Sequence, residues 1–164
     1  VPIIGIKKRT IKNSSVIITP LEEDIKSLAD SGADIIAFDA TFRERPVEIA
    51  RLIDLIHNKN CIAMADCSNI HEALNASNLG ADIVASTLSG YTTKTTPKNP
   101  DFKMISEYAN TNHQNPIIAE GRINTPNQAL KAIKLGAHAV VVGTAINRVE
   151  IITSWFANGI SHDR

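Results

Sequence analysis

The chain has 164 residues, 43% of them hydrophobic, enough for one domain with a sizeable core. Lys plus Arg and Asp plus Glu both number 17, so the formal net charge is zero, which argues against a nucleic-acid or anionic-membrane partner needing a basic surplus. No apolar run approaches the roughly 18 residues of a membrane span, and no charged-then-apolar leader opens the sequence, so secretion is not expected.

The first predicted strand, near 2–6, runs into Lys7 and Lys8. If Ile4 and Ile6 point inward, alternation turns Lys8 inward too, and Lys7 toward the helices or outward. Thr19-Pro20-Leu21-Glu22 then reads as a capping Thr, a Pro at the first helical position and a Glu at the third. Three phrases echo one another: "SGADIIAFDAT" from Ser31, "LGADIVASTLSG" from Leu79 and "LGAHAVVVGTA" from Leu135. In each, a glycine (Gly32, Gly80, Gly136) suits the left-handed position after a helix, and an apolar strand follows.

These strands are predicted near 34–38, 82–86 and 138–142, with others near 61–65 and 116–119. Pro46 starts a helix that keeps Ile49, Leu52, Ile53 and Ile56 on one face. Ser68 is the expected cap of a helix ending near Leu79. Thr125-Pro126-Asn127-Gln128 repeats the capping box. The pattern is β-α six times.

Such alternation allows an open doubly wound sheet or a (β/α)8 barrel. Polar residues end every strand: Lys8, Asp39, Asp66, Thr87, Glu120 and Gly143. A barrel gathers all its strand ends at one mouth, whereas an open sheet has a single crevice, so the barrel is favoured. Six units cannot supply eight strands, and the chain opens on Val1-Pro2 without an initiator Met. The expectation is one incomplete barrel domain over residues 1–164.

A partly desolvated lysine near carboxylates can be neutral and act as a base, which makes Lys8 a candidate; a solvated loop charge is the alternative. Asp39 and Asp66 occupy matching strand ends, where they either meet substrate or cap the next loop and pair with an arginine. Glu120 begins no helix and has Gly121 and Arg122 beside it, so it faces the mouth in an acid-base or hydroxyl-gripping role. Thr87, Gly121 and Arg122 join Asp39 and Asp66 as candidate substrate contacts. In "VVVGTAINR", Gly143, Thr144 and Arg148 suit a phosphate, through backbone N–H groups and a guanidinium fork.

Cys61 and Cys67, if on one extended strand, lie about 20 Å apart, too far to bridge. Free thiols in a reducing cytoplasm are expected. His57, His71, His113, His138 and His162 show no metal-ligand spacing, so no metal site is expected.

Together "PIIGIKKR", "DIIAFDAT", "AMADCS", "STLSGYT", "PIIAEGRINTP" and "AVVVGTAINR" resemble the N-acetylmannosamine-6-phosphate 2-epimerase family, (β/α)8 enzymes of bacterial sialic-acid catabolism. The resemblance covers essentially the whole chain. It implies that Lys8 is the catalytic base, Glu120 its acidic partner and Asp66 part of the substrate site. It also implies that Gly143 and Arg148 bind phosphate. Thr144 stands where the family motif has a second Gly, and Asn147-Arg148-Val149 stands for Thr-Arg-Pro. The match begins at what is the family's third strand. Two leading βα units, with a Gln and an Arg that contact substrate, are therefore expected to be missing, and these 164 residues alone are not expected to be active.

The implied reaction inverts C2 of N-acetylmannosamine 6-phosphate to give N-acetylglucosamine 6-phosphate, with no metal or redox cofactor. The phosphosugar is the expected partner, and a homo-oligomer is possible. The alternatives are thiazole synthase, another phosphosugar barrel with a Schiff-base lysine, and a non-catalytic phosphosugar-binding fragment.

Overall fold

Runs of Ile, Val and Ala with helix-forming segments between them build a single parallel sheet wrapped by helices. The computed structural model describes residues 1–92 and 97–161, so His162 lies outside the described residues. In chain order the elements are β1 Ile4–Gly5, α1 Glu22–Asp30, β2 Ile35–Asp39, α2 Ile49–Asn58, β3 Ile62–Asp66 and α3 Ile70–Asn78. Then follow β4 Ile83–Ala85, α4 Phe102–Ala109, β5 Ile117–Glu120, α5 Pro126–Lys134, β6 Ala139–Val141, α6 Thr144–Asn147 and α7 Val149–Ser161.

The strands pair in sequence order, all parallel. Among the described residues β1 pairs only with β2 and β6 only with β5, so the sheet is a curled, incomplete barrel. Gly32, Gly80 and Gly136 all have positive φ, as their places after α1, α3 and α5 require. No helix among the described residues is long and apolar enough to cross a membrane.

Alternation along the strands divides the apolar residues between two faces. Ile36, Phe38, Ala63, Ala65, Val84, Ile117 and Ala119 face the helices and meet Ile25, Leu52, Ile53, Ile56, Met104 and Ile105. Each Ile or Leu side chain so buried contributes about 1.5–3 kcal/mol, and this layer is the main core. Ala37, Met64, Ala85 and Ile118 form a smaller cluster on the inner face. One step further along that face, toward the C-terminal ends, come Asp39, Asp66 and Glu120, so the register that buries the core also aims these carboxyls at the mouth.

Several local expectations need correction. Thr19 does not cap α1: it is buried, its φ is 44°, and its hydroxyl donates to the Ala37 carbonyl at 2.6 Å while accepting from the Lys7 N–H at 3.2 Å. The helix starts later, where the Asp24 carboxylate accepts from the Leu21 N–H at 3.2 Å. Asn69, not Ser68, caps α3, accepting from the Glu72 N–H at 3.1 Å, while Ser68 donates to Glu72 instead. Pro46 stands three residues before α2, whose N-cap is Glu48.

Residues 7–19, read from sequence as loop, double back as a short antiparallel excursion. It is closed by Thr19 N–H to Lys7 O at 2.7 Å and Arg9 N–H to Ile17 O at 3.0 Å. This excursion carries Ile17 and Ile18 over the mouth. The Thr125–Gln128 box forms as expected, with Thr125 Oγ1 accepting from the Gln128 N–H at 3.2 Å and Gln128 Oε1 from the Thr125 N–H at 3.2 Å.

Candidate active site

Two adjoining cavities lie at the C-terminal ends of the strands. The inner one, about 220 Å3, is bounded by Ile4, Ile6, Met64 and Val141 below and by Lys8, Asp66, Thr87 and Glu120 above. The outer one, about 430 Å3, shares Lys8, Thr87 and Glu120 and adds Tyr91, Gly121, Asn124, Gly143 and Thr144. Ile4, Ile6 and Lys8 thus share a face, as alternation requires. Lys7 points the other way, its ammonium 3.8 Å from the Asp24 carboxylate of α1. Lys8 is exposed, and among the described residues β1 has no strand on its outer side.

Asp66 ends β3 opposite Ala85 of β4, whose small side chain leaves the carboxyl room on the inner face. It is only 2% exposed, and Thr87 Oγ1 donates to its Oδ1 at 2.6 Å. Burial pushes its pKa up to about 8; the Thr87 bond opposes this, Glu120 and Asp39 add to it, and Lys8 opposes it. Burial also raises Glu120, opposed by the polarity of the nearby Thr87 hydroxyl and by the Lys8 charge.

The Glu120 backbone is fixed by Ser86, whose hydroxyl accepts from the Glu120 N–H at 3.1 Å and donates to the Glu120 carbonyl at 2.9 Å. The chain then turns sharply at Gly121 (φ 100°) and Arg122 (φ 61°), keeping the Glu120 side chain at the mouth. Ser86 is a positioning residue that the sequence reading missed. It follows β4 as Thr87 does, and only the cross-strand distance reveals its task.

Asp39 ends β2 on the same face but is engaged elsewhere. Its Oδ1 accepts from the Thr41 N–H at 3.0 Å and the Thr41 hydroxyl at 2.6 Å, while Arg43 and Arg45 ion-pair with the carboxylate. It bounds neither cavity, so the candidate substrate contact is corrected to a loop anchor. Arg122 borders the outer cavity, yet its Nε donates to the Asn99 carbonyl at 2.8 Å and its Nη1 to the Ser89 carbonyl at 2.5 Å. Its guanidinium also lies 5.3 Å from the centre of the Tyr91 ring. It braces the loop after β4.

Gly143 and Thr144 border the outer cavity where α6 begins. Arg148 does not border it. It stands between α6 and α7, exposed, with its Nε donating to Glu150. Cys61 and Cys67, at the two ends of β3, are both free and buried. Among the described residues no group of three or more His, Cys, Asp and Glu side chains is placed to hold a metal ion.

Residues 1–162 match the family model described as "Putative N-acetylmannosamine-6-phosphate epimerase". The chain belongs to the N-acetylmannosamine-6-phosphate epimerase family. A relative from Haemophilus influenzae, named "Putative N-acetylmannosamine-6-phosphate 2-epimerase", is 49% identical over all of this chain and 71% of its own length. One of the same name from Photobacterium profundum is 49% identical over 99% of this chain and 68% of its own.

Among solved structures, the N-acetylmannosamine-6-phosphate 2-epimerase from Clostridium perfringens superposes with a TM-score of 0.92 at 42% identity, covering 96% of this chain and 70% of that one. A thiamine phosphate pyrophosphorylase from Pyrococcus furiosus shares the fold alone, with a TM-score of 0.58 at 20% identity over 74% of this chain and 55% of its own. The epimerase family is thus reached from the whole chain, not from one motif.

Proposed function

We propose that the protein epimerises N-acetylmannosamine 6-phosphate at C2, giving N-acetylglucosamine 6-phosphate. The observation that carries the reading is the convergence of Lys8, Asp66, Thr87 and Glu120, from three strands and the segment after β1, on one pair of cavities. The C2 proton is acidic only beside a carbonyl, so the pyranose must first open to its aldehyde. Lys8, as the free amine, takes the C2 proton and leaves an enolate. A proton then returns to C2 from the opposite face. Asp66, raised by burial to about 8, is suited to hold a proton near neutral pH, and burial shifts Glu120 in the same direction.

Gly143 and Thr144, with Arg148 swung from its pairing with Glu150, hold the 6-phosphate. That anchors the sugar through a group that does not react. The chemistry needs neither metal nor redox cofactor, and the two buried thiols suit the cytoplasm.

The chain is read as one barrel domain, and its activity is tested with the open edges of the sheet covered, by joining to it the part of the Haemophilus influenzae relative that it does not match, called the closed barrel below. Incubated with N-acetylmannosamine 6-phosphate, it should yield N-acetylglucosamine 6-phosphate and should survive borohydride with substrate present. Inactivation by borohydride with a lysine adduct would favour the Schiff-base alternative. Saturable binding without conversion would leave only a binding module.

A further inference from the structure

β1 ends at Gly5, so the parallel ladder does not reach Lys8. What fixes the Lys8 backbone is its antiparallel bridge to Ile18, across the excursion after β1. Thr19 closes that bridge. Its N–H donates to the Lys7 carbonyl at 2.7 Å, its hydroxyl accepts from the Lys7 N–H at 3.2 Å, and the same hydroxyl donates to the Ala37 carbonyl at 2.6 Å. The single hydroxyl hydrogen goes to β2 and a lone pair receives Lys7, so one oxygen ties the residue before Lys8 to the barrel wall. The Ile18 carbonyl adds a second tie to β2, accepting from the Asp39 N–H at 3.1 Å.

Thr19 is fully buried, and its φ of 44° puts a β-branched residue in the left-handed region. That conformation costs free energy and persists only where the surroundings hold it. The two neighbours of Lys8 are held as well. The Lys7 ammonium lies 3.8 Å from the Asp24 carboxylate, and Arg9 pairs with Glu23 at 2.7 Å and with Asp24. Both are drawn to α1, and of these three consecutive cations only Lys8 borders the cavities.

Resting on the epimerase reading, we infer that Thr19 is a positioning residue, whose hydroxyl anchors the Lys7 backbone to β2 and so holds the Lys8 amine over the mouth. The anchor acts on the base and not on the phosphate. Gly143 and Thr144 follow β6, at the other end of the strand order, whereas the side chain of Thr19 bonds Lys7 and Ala37. Loss of the anchor therefore tells on turnover rather than on substrate binding.

The test compares Thr19→Val and Thr19→Ser in the closed barrel. Valine keeps the shape and removes the hydroxyl; serine keeps the hydroxyl and removes the methyl. Thr19→Val should lower kcat by roughly 10²-fold with KM little changed, the scale of a reacting group displaced by about 1 Å. Thr19→Ser should recover most of the loss. An unchanged kcat with valine, a fall in kcat matched by a rise in KM, or equal damage from both variants would overturn the assignment.

Amide hydrogen exchange needs no turnover, and its first reading needs no variant. In the wild-type closed barrel the Lys7 and Thr19 amides should exchange far more slowly than that of Lys12, an exposed turn residue. Thr19→Val should release the Lys7 amide, and Thr19→Ser should keep it protected. A Lys7 amide that exchanges as fast as that of Lys12 in wild type would overturn the anchor. Protected amides in a protein that never converts substrate would instead sink the epimerase reading, and the positioning role with it.

Discussion

Asp66 is a buried acid whose folded pKa, about 8, stands well above its ordinary value of about 4. The folded state therefore binds more protons than the unfolded chain between those values, and stability falls as pH rises through that window. Asp66→Asn keeps an acceptor for Thr87 and removes the titration, so in the closed barrel it should melt above wild type at pH 8.5, with the gap closing toward pH 4. A gap independent of pH would contradict the burial of this carboxyl. Arg148→Ala, on the phosphate reading, should weaken binding of the 6-phosphate sugar by roughly tenfold, as loss of a charge-assisted bond does, and leave the unphosphorylated sugar unaffected. Equal losses measured by calorimetry would mean that Arg148 acts through folding. Lys8, Asp66 and Glu120 were legible because period-two alternation and the strand end fix which way a side chain points. Asp39 met the same criteria and left two readings open; its partners Arg43 and Arg45, in a loop whose path no periodicity encodes, favour the loop anchor. The bracing role of Arg122 was not legible for the same reason: its acceptors, Ser89 and Asn99, belong to another loop.

At the scale of elements, the six strands were readable within two residues, three from their repeated Gly-small-apolar openings and three from their apolar runs alone. The helix starts were less so. Thr125-Pro126 and Thr19-Pro20 look alike, yet only the first caps a helix; Thr19 is drawn instead into the bond between the excursion after β1 and β2. That excursion had no sequence signal, since its pairing is between single bridges rather than an alternating run. Asn69→Ala should cost about 1 kcal/mol in chemical denaturation of the closed barrel, the usual worth of a helix N-cap, and loss of well under half that would show that the α3 cap is idle. Gly136→Ala should destabilise more severely. Its φ is 102°, and an added Cβ would come within 2.4 Å of the Ala109 Cβ, so both backbone and packing resist the change.

For the whole molecule, the decisive feature is that β1 and β6 are edge strands among the described residues. Ile3, Ile4 and Ile6 are 59%, 39% and 46% exposed along β1, and Val149, Phe156 and Ile160 are 70%, 72% and 67% exposed on α7. Unpaired backbone and apolar side chains on an edge invite association. The 164-residue chain alone should therefore elute as an oligomer or aggregate in light-scattering chromatography and show no epimerase activity, whereas the closed barrel should be active. A monodisperse, active monomer of 164 residues would mean that the edges close in another way. The central claim, proton abstraction at C2 by Lys8, is tested most directly by proton NMR of the closed barrel with N-acetylmannosamine 6-phosphate in deuterium oxide. The account predicts that the C2 proton signal is lost with wild type and retained with Lys8→Ala, which still binds the phosphosugar; exchange by the variant at the wild-type rate would contradict it.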